Sequence, residues 1–143
     1  MADSESILKE NLFFLAGALS RKLSKEADDV FATVGLSSSH ALILLLVHQE
    51  PGVQPSQLAG KLHLKPSTIT RLVAKLERRQ LVEKESQGRA KSIVCTSKGN
   101  SMAANIEEKW DTLLQDKQEQ LGDRYTEVLS EMIANALDSL SEE

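Results

Sequence analysis

The sequence predicts a mainly α-helical fold with one small β-hairpin. Hydrophobic residues make up 41% of the 143 residues, but aromatic residues make up only 3%. Apolar positions recur with the 3.6-residue period of a helix along most of the chain, and one short region changes to the period of a strand. Aliphatic side chains at helical spacing suit packed helices better than a β-sandwich. A chain of this length can bury the core of one domain without disulfides.

The composition also indicates the compartment. Cys95 is the only cysteine, which excludes an internal disulfide and is compatible with a reducing cytoplasm. The N-terminus is acidic and polar, unlike the basic start of a secretory signal. The longest apolar run, residues 41–47, is too short to span a bilayer. We therefore expect a cytoplasmic protein that does not enter a membrane.

The first third of the chain predicts two helices. A helical stripe of apolar residues begins the chain, continues toward Phe31 and is broken by Gly35. Ser37–Ser39 offer N-cap oxygens for a second helix, about His40 to Gln49. This helix is apolar on nearly every face, so we expect it to be buried. The residues of the first stripe are Ile7, Leu8, Leu12, Leu15, Leu19 and Leu23.

The middle of the chain predicts a winged helix-turn-helix. After the turn at Pro51 and Gly52, two short helices are expected at about Pro55–Leu62 and Pro66–Arg79, each with proline in its first turn. Only a few residues connect them, as in a helix-turn-helix. The runs "LVEKE" and "KSIVCT" then read as strands on either side of the loop "SQGRA". A short hairpin directly after a helix-turn-helix is typical of a winged helix.

The C-terminal part predicts two further helices. Thr96 is a plausible N-cap for a long helix that ends near Leu121, and Gly122 with Asp123 separates it from a last helix that carries an apolar stripe up to Leu140. The first and last helices have broad apolar stripes, although the central unit looks complete without them. We therefore expect them to pack against a second copy in a homodimer. Packing onto the same subunit is the alternative.

Positive charge is concentrated in the winged helix region. The chain has a net charge of −4, yet residues 53–98 contain 10 Lys/Arg and 3 acids, a net charge of +7. The remaining residues contain 7 Lys/Arg and 18 acids, a net charge of −11. A compact basic section between acidic flanks indicates a polyanionic partner. An exposed surface that is merely rich in Lys and Arg is the alternative.

The helix at residues 66–79 carries the predicted chemistry. Its buried face consists of Ile69, Leu72, Val73 and Leu76 at helical spacing. Small and basic side chains lie opposite or on the shoulders, which suits a helix in the DNA major groove. We expect Arg71 to read a base, and Lys75 and Arg78 to contact phosphates. The exposed set is Lys65, Ser67, Thr70, Arg71, Ala74, Lys75 and Arg78.

The hairpin loop, residues 85–91, is the predicted wing. It presents Arg89 and Lys91, and Gly88 permits a tight bend. An arginine at the tip of a wing can enter a narrow minor groove, where the negative potential is enhanced. An exposed loop arginine without a specific role is the alternative.

Three stretches resemble the MarR family of bacterial transcriptional regulators: "LSSSHALILLLVHQEPG", "QLAGKLHLKPSTITRLVAKLERRQLVEK" and "GRAKSIVCTSKG". The resemblance implies a homodimer on a pseudo-palindromic duplex, often a repressor that a small ligand releases. It assigns DNA-reading positions to Ser67, Thr68, Thr70 and Arg71, and a wing role to Arg89. The chain departs from the family pattern at Gln80, which replaces a glycine, and in a shorter wing without an acidic partner for Arg89.

The resemblance implies an effector pocket where the first, second and long helices meet the winged region, with Phe13, Phe14 and His40 as nearby candidates. No cofactor, metal site or enzymatic activity is predicted, because the chain has no phosphate-binding loop, nucleophile motif or clustered catalytic residues. Metal sensing by histidines and redox sensing by Cys95 are minor alternatives. A winged-helix adaptor that has lost DNA binding is the alternative function.

The expected organisation is therefore an N-terminal dimerisation helix at residues 1–34, a winged helix-turn-helix DNA-binding region at 36–98 and C-terminal dimerisation helices at 99–143, in one compact chain.

Overall fold

A computed structural model describes residues 3–88 and 90–141 of the chain. The described part is mainly helical with one antiparallel hairpin, which confirms the predicted fold class. Residues up to Ile106 form one compact unit, and residues from Glu107 onward form a second. The elements are α1 (Ser4–Lys9), α2 (Leu12–Ala32), α3 (Ser38–Gln49), α4 (Pro55–Leu62), α5 (Pro66–Arg78), β1 (Val82–Gln87), β2 (Ala90–Cys95), α6 (Ser97–Leu121) and α7 (Asp123–Leu140).

The N-terminal stripe does not form the single helix that its spacing predicts. The helical conformation is interrupted between α1 and α2. Asn11 takes an extended conformation there and caps α2. Its side-chain oxygen accepts a hydrogen bond from the backbone N–H of Phe14 at 2.9 Å. Asparagine is among the best N-cap residues, and this local cap overrides the continuous apolar period. The prediction of one helix was wrong for this reason.

Helix α3 is the buried centre of the first unit, as predicted. Five of its side chains are buried, and they are His40, Ala41, Ile43, Leu44 and Val47. Ser37 supplies the N-cap, and its hydroxyl accepts a hydrogen bond from the backbone N–H of His40 at 3.2 Å. The helix contacts α2, α5 and β2. It therefore forms the support on which the helix-turn-helix and the hairpin rest.

The helix-turn-helix has nearly the predicted bounds, although α5 ends at Arg78, one residue earlier than expected. Helix α4 ends at Leu62, and the C-cap residue His63 adopts a left-handed conformation with φ of 53°. The buried face of α5 is the predicted one, Ile69, Leu72, Val73 and Leu76. This agreement fixes which face of α5 points toward solvent.

The hairpin is more regular than the sequence predicts. Strands β1 and β2 pair from Val82 with Cys95 outward to Gln87 with Ala90. The ladder therefore runs into residues 85–91, where we expected a loop. The prediction was wrong because backbone pairing continues outward to Gln87 and Ala90, and Gly88 has the positive φ of 66° that a tight turn favours.

An isolated β-bridge that joins the hairpin to the turn before α4 was not predicted. Val53 forms an isolated antiparallel bridge with Ile93. The N–H of Ile93 donates to the oxygen of Val53 at 3.0 Å, and the N–H of Gly52 donates to the oxygen of Ile93 at 2.9 Å. These bonds attach the hairpin to the turn that precedes α4.

Helices α6 and α7 agree with the C-terminal prediction. The Thr96 hydroxyl accepts a hydrogen bond from the N–H of Gly99 at 3.0 Å, which confirms Thr96 as the cap of α6. Gly122, with φ of 94°, separates the two helices. Thr126 is the buried residue of α7, and its hydroxyl donates to the oxygen of Gly122 at 2.8 Å. Across the described ranges, none of the helices combines the length and apolar composition needed to cross a membrane.

Candidate nucleic-acid interface

The predicted reading residues share one solvent-facing side of α5. Ser67, Thr70, Arg71 and Arg78 are exposed, while Thr68 and Lys75 are half-buried. Lys65 is exposed at the N-cap position. The structure thus brings hydroxyls to the N-terminal end of this face and guanidinium groups along it. We call these seven residues the α5 face.

The hydroxyl of Thr70 is already committed as a donor. It donates to the backbone oxygen of Pro66 at 3.0 Å, one turn earlier in the helix. A threonine hydroxyl has one donor hydrogen and two acceptor lone pairs. In this geometry Thr70 can still accept a hydrogen bond, for example from the amino group of adenine or cytosine in the major groove.

The one acid of α5 is neutralised by the hairpin. Glu77 Oε1 lies 3.2 Å from Nζ of Lys84 on β1, and both side chains are 34% exposed. A free carboxylate on this helix would repel a polyanion. The pair removes that repulsion and connects α5 to the first strand of the wing.

Arg79 is structural, a role that the sequence analysis missed. Its Nη1 donates to the backbone oxygens of Val34 at 2.9 Å and Gly35 at 3.0 Å. The arginine therefore binds the end of α5 to the loop between α2 and α3. The glycine at position 35 was the sequence feature that could have indicated this contact. Gly35 has φ of 74°, and a Cβ atom there would press on the Arg79 guanidinium.

The last carbonyls of α5 are held by the start of α6. Lys98 Nζ donates to the oxygen of Arg79 at 3.2 Å, and the Thr96 hydroxyl donates to the oxygen of Gln80 at 2.7 Å. Helix C-termini carry unpaired carbonyl groups that need such partners. These two bonds fix the position of the C-terminal end of α5.

Gln80 follows the C-terminus of α5 with a backbone conformation that is more usual for glycine. Its φ is 61°, in the left-handed region. The N–H of Gln80 donates to the oxygen of Glu77, and the N–H of Leu81 donates to the oxygen of Leu76, both at 2.9 Å. These two bonds define a Schellman motif. The helix end therefore has the geometry that glycine serves best, although glutamine occupies the position.

The described residues of the wing include Lys91 but not Arg89. Lys91 is exposed and pairs with Ser86 across the hairpin. Arg89, the predicted minor-groove residue, lies outside the described residues. Among the described residues of the wing, Lys91 therefore carries the positive charge and Glu85 a negative one, while Lys84, just before the wing, is paired with Glu77.

The three effector candidates occupy different environments. Phe13 and Phe14 lie in the first turn of α2, and Phe13 is 87% exposed. His40 is only 8% exposed, and its Nδ1 lies 2.6 Å from the Ser37 hydroxyl in the capping box of α3. Burial lowers the pKa of His40, and the positive charges of Lys75 and Arg71 lower it further. His40 is therefore a neutral capping residue next to the α5 face.

His48 and Cys95, which were considered for metal binding and redox sensing, have structural partners. His48 Nδ1 lies 2.8 Å from the side-chain oxygen of Asn100. The Cys95 thiol faces the backbone oxygen of Leu44 at 3.8 Å, and burial raises its pKa to about 11. Since thiolates rather than thiols react, this cysteine is poorly suited to redox sensing.

Comparisons with known proteins agree with this geometry. A family model described as MarR family matches residues 36–88. The fold is similar to that of MepR from Staphylococcus aureus in a DNA complex, with a TM-score of 0.78 and 21% identity over 93% of this chain and 99% of that chain. No curated protein matches the chain.

Two further solved structures share the fold. A putative MarR family transcriptional regulator from Listeria monocytogenes, complexed with 26mer DNA, has a TM-score of 0.80 and 16% identity over 92% of this chain and 89% of that chain. CouR from Rhodococcus jostii RHA1, bound to p-coumaroyl-CoA, has a TM-score of 0.81 and 22% identity over 95% of this chain and 98% of that chain. The resemblance found in the sequence is confirmed: residues 36–88 match the MarR family model, and the chain has the same fold as these solved structures.

Proposed function

We propose that this chain is a homodimeric, sequence-specific DNA-binding transcriptional regulator. Helix α5 enters the major groove, and the wing at residues 85–91 lies at the minor groove. The observation that carries the proposal is the α5 face, which exposes Ser67, Thr70, Arg71 and Arg78 while its neighbouring acid, Glu77, is paired with Lys84. Solved relatives of the same fold are complexes with DNA, which supports this assignment.

The residues of the α5 face have different proposed DNA contacts, according to their side-chain length and their position along the helix. Arg71 is exposed near the middle of the helix, where its guanidinium can bond both O6 and N7 of a guanine. Lys75 and Arg78 lie farther along and contact phosphates, which position the helix without reading sequence. Lys65, Ser67 and Thr68 lie at the N-terminal end, where backbone N–H groups also attract phosphate.

The homodimer is supported by apolar side chains that are exposed in the terminal helices. Burial of one large apolar side chain contributes about 1.5–3 kcal/mol, so several of them can offset an association cost of about 4–15 kcal/mol. Phe13 and Leu140, for example, are 87% and 80% exposed. The N-terminal set is Ile7, Leu8, Leu12, Phe13, Phe14, Leu15, Leu19 and Leu23, and the C-terminal set is Leu114, Leu121, Tyr125, Met132, Ile133, Leu137 and Leu140.

Regulation by a small molecule completes the proposal. The chain acts as a repressor that releases DNA when an effector binds, with Phe13, Phe14 and His40 as the candidate contacts. A solved relative of the same fold is bound to p-coumaroyl-CoA, which supports a ligand-responsive role. The exposed aromatic rings of Phe13 and Phe14 suit a flat or aromatic ligand.

A protein-interaction adaptor is the second candidate function. The pairing of the strands out to Gln87 and Ala90 favours it, because a wing this short offers little reach toward a minor groove. Such an adaptor would keep the winged helix fold and use the α5 face to bind an acidic protein surface.

Selection of bound sequences from a random duplex pool tests the function directly. We expect enrichment of a pseudo-palindrome whose half-sites are separated by about one helical turn, 10–10.5 base pairs. Such a site would show sequence reading and dimer geometry in one experiment. Absence of any enrichment at low salt would support the adaptor instead.

A further inference from the structure

We propose that the ion pair between Glu77 and Lys84 sets the orientation of the wing relative to helix α5, so that both are positioning residues for DNA binding. The inference rests on the proposed function, because it concerns how two DNA-contacting elements are aligned. Neither residue was among those expected to contact DNA. Their role is to hold the wing where it meets the minor groove while α5 occupies the major groove.

The location of the pair supports this role. Glu77 lies in the last turn of α5, and Lys84 is the third residue of β1. Their charged atoms are 3.2 Å apart. Lys9 with Glu5 and Lys25 with Asp29 connect successive turns of one helix, and Lys61 with Glu50 joins α4 to the end of α3. The Glu77–Lys84 pair joins α5 to β1, the two elements that face the proposed DNA.

Apolar packing anchors the hairpin at its base and through β2, where Ile93, the partner of Lys84, is fully buried. Val82 is 2% exposed and anchors the base of β1, but the next residues of the strand are exposed. A surface cleft of about 640 Å³ separates the end of α5 from β1 and the start of α6. Both Glu77 and Lys84 line this cleft. Glu77 and Lys84 therefore add a polar contact between α5 and the exposed residues of β1.

The ion pair also affects the charge that α5 presents to DNA. If Lys84 were absent, Glu77 would present an unpaired carboxylate beside the α5 face. Both the loss of alignment and the new repulsion would then weaken DNA binding. If Lys84 only contacted a phosphate, exchanging the charges of residues 77 and 84 would not restore binding. A lysine at position 77 could not make the contact that Lys84 makes.

A charge-exchange series in the full-length chain tests the proposal. The variants are Lys84→Glu, Glu77→Lys and the exchanged double variant, each measured on the duplex obtained from the pool. We expect Lys84→Glu to weaken binding roughly tenfold, because two carboxylates then repel each other and the DNA. Footprinting should show lost protection of the minor groove flanking each half-site, with major-groove protection retained. The exchanged variant should recover most of both the affinity and the flanking protection.

A matched control separates alignment from charge. The double variant Lys84→Glu/Glu85→Lys has the same net charge as the wild type, but side chains of adjacent strand residues point to opposite faces. The lysine introduced one residue later in the strand therefore cannot replace the partner of Glu77, and we expect binding to stay weak. If the control recovers as well as the exchanged variant, or if neither recovers, the inference is wrong.

The same series distinguishes the inference from the proposed function. Wild-type protein that binds no duplex would overturn both. Wild-type protein that binds, together with Lys84→Glu that binds equally well with unchanged flanking protection, would overturn only the inference. Lys84→Gln provides a milder second variant, and circular dichroism verifies that every variant is folded.

Discussion

The Cα atom of Gly99 lies so close to the backbone oxygen of Leu81 that a Cβ atom at position 99 would overlap it. The N–H of Thr96 donates to this same oxygen at 3.1 Å. The first turn of α6 is therefore pressed against the residue that joins α5 to the hairpin. Only glycine allows this approach, which positions Thr96 and Lys98 to hold the end of α5.

Replacement of Gly99 with alanine should reduce the free energy of unfolding by about 1–3 kcal/mol, because backbone has to move to relieve the overlap. Urea unfolding followed by circular dichroism measures the change. Gly60→Ala is the matched control, since Gly60 is helical and has no atom within 4 Å of an added Cβ. The control should stabilise α4 by about 1 kcal/mol. Equal effects of the two substitutions would contradict the close packing at Gly99.

Gln80→Gly should stabilise the protein. Gln80 holds a left-handed conformation with φ of 61°, which costs a residue with a side chain about 1 kcal/mol relative to glycine. Urea unfolding should show a gain of about that size. Gln80→Val should destabilise the protein, because a β-branched residue tolerates this conformation least. A loss of stability in Gln80→Gly would show that the side chain makes a contribution larger than the strain.

Arg71 and Lys75 should affect DNA binding differently. Arg71→Ala should cost about 1–3 kcal/mol on the selected site and relax the preference at one base position. Lys75→Ala should weaken binding to selected and unrelated duplexes by similar factors, because a phosphate contact carries no sequence information. Titrations of both variants on matched and mismatched duplexes measure the two effects. Unchanged affinity of Arg71→Ala would refute its role as base reader.

Cys95 should react slowly while the protein is folded. Burial raises the pKa of its thiol to about 11, compared with an ordinary value of 9.0. At pH 8 the thiolate fraction is therefore about a hundredfold lower in the folded state than in the unfolded state. Iodoacetamide labelling with and without urea, followed by mass spectrometry, should show a difference of at least this order. Equal rates in both conditions would indicate an accessible, activated thiol.

His40 should make stability depend on pH. Burial and the nearby Lys75 and Arg71 lower its pKa in the folded state below the ordinary value of 6.5. The unfolded chain therefore binds a proton more readily than the folded chain, and the free energy of unfolding should fall as pH drops below 6.5. His40→Gln should remove this slope between pH 7 and pH 5. Asp28, whose pKa is lowered from 3.8 mainly by hydrogen bonds from Ser38, contributes only at more acidic pH.

Local patterns in the sequence predicted most of the fold and the face of α5. Ile69, Leu72, Val73 and Leu76 follow the helical period, so the opposite face could be assigned before the structure. Contacts between residues far apart in the chain could not be assigned. The bonds from Arg79 to Val34 and Gly35 span more than forty residues, and no periodicity encodes them. The cap at Asn11 was visible in principle, but the continuous apolar stripe concealed it.

The contact between Arg79 and the loop after α2 has a consequence for how strongly DNA binding depends on salt. Of the ten basic residues between 53 and 98, Lys61, Arg79, Lys84 and Lys98 already bond to other parts of the chain. The remaining cations in the described residues of this section are Lys65, Arg71, Lys75, Arg78 and Lys91. If each of these five neutralises one phosphate and releases its counterions, together they contribute a slope of roughly −4 to −5 per protomer to the fall of log K with log salt. The count of internal bonds thus sets the number of counterions that binding can release.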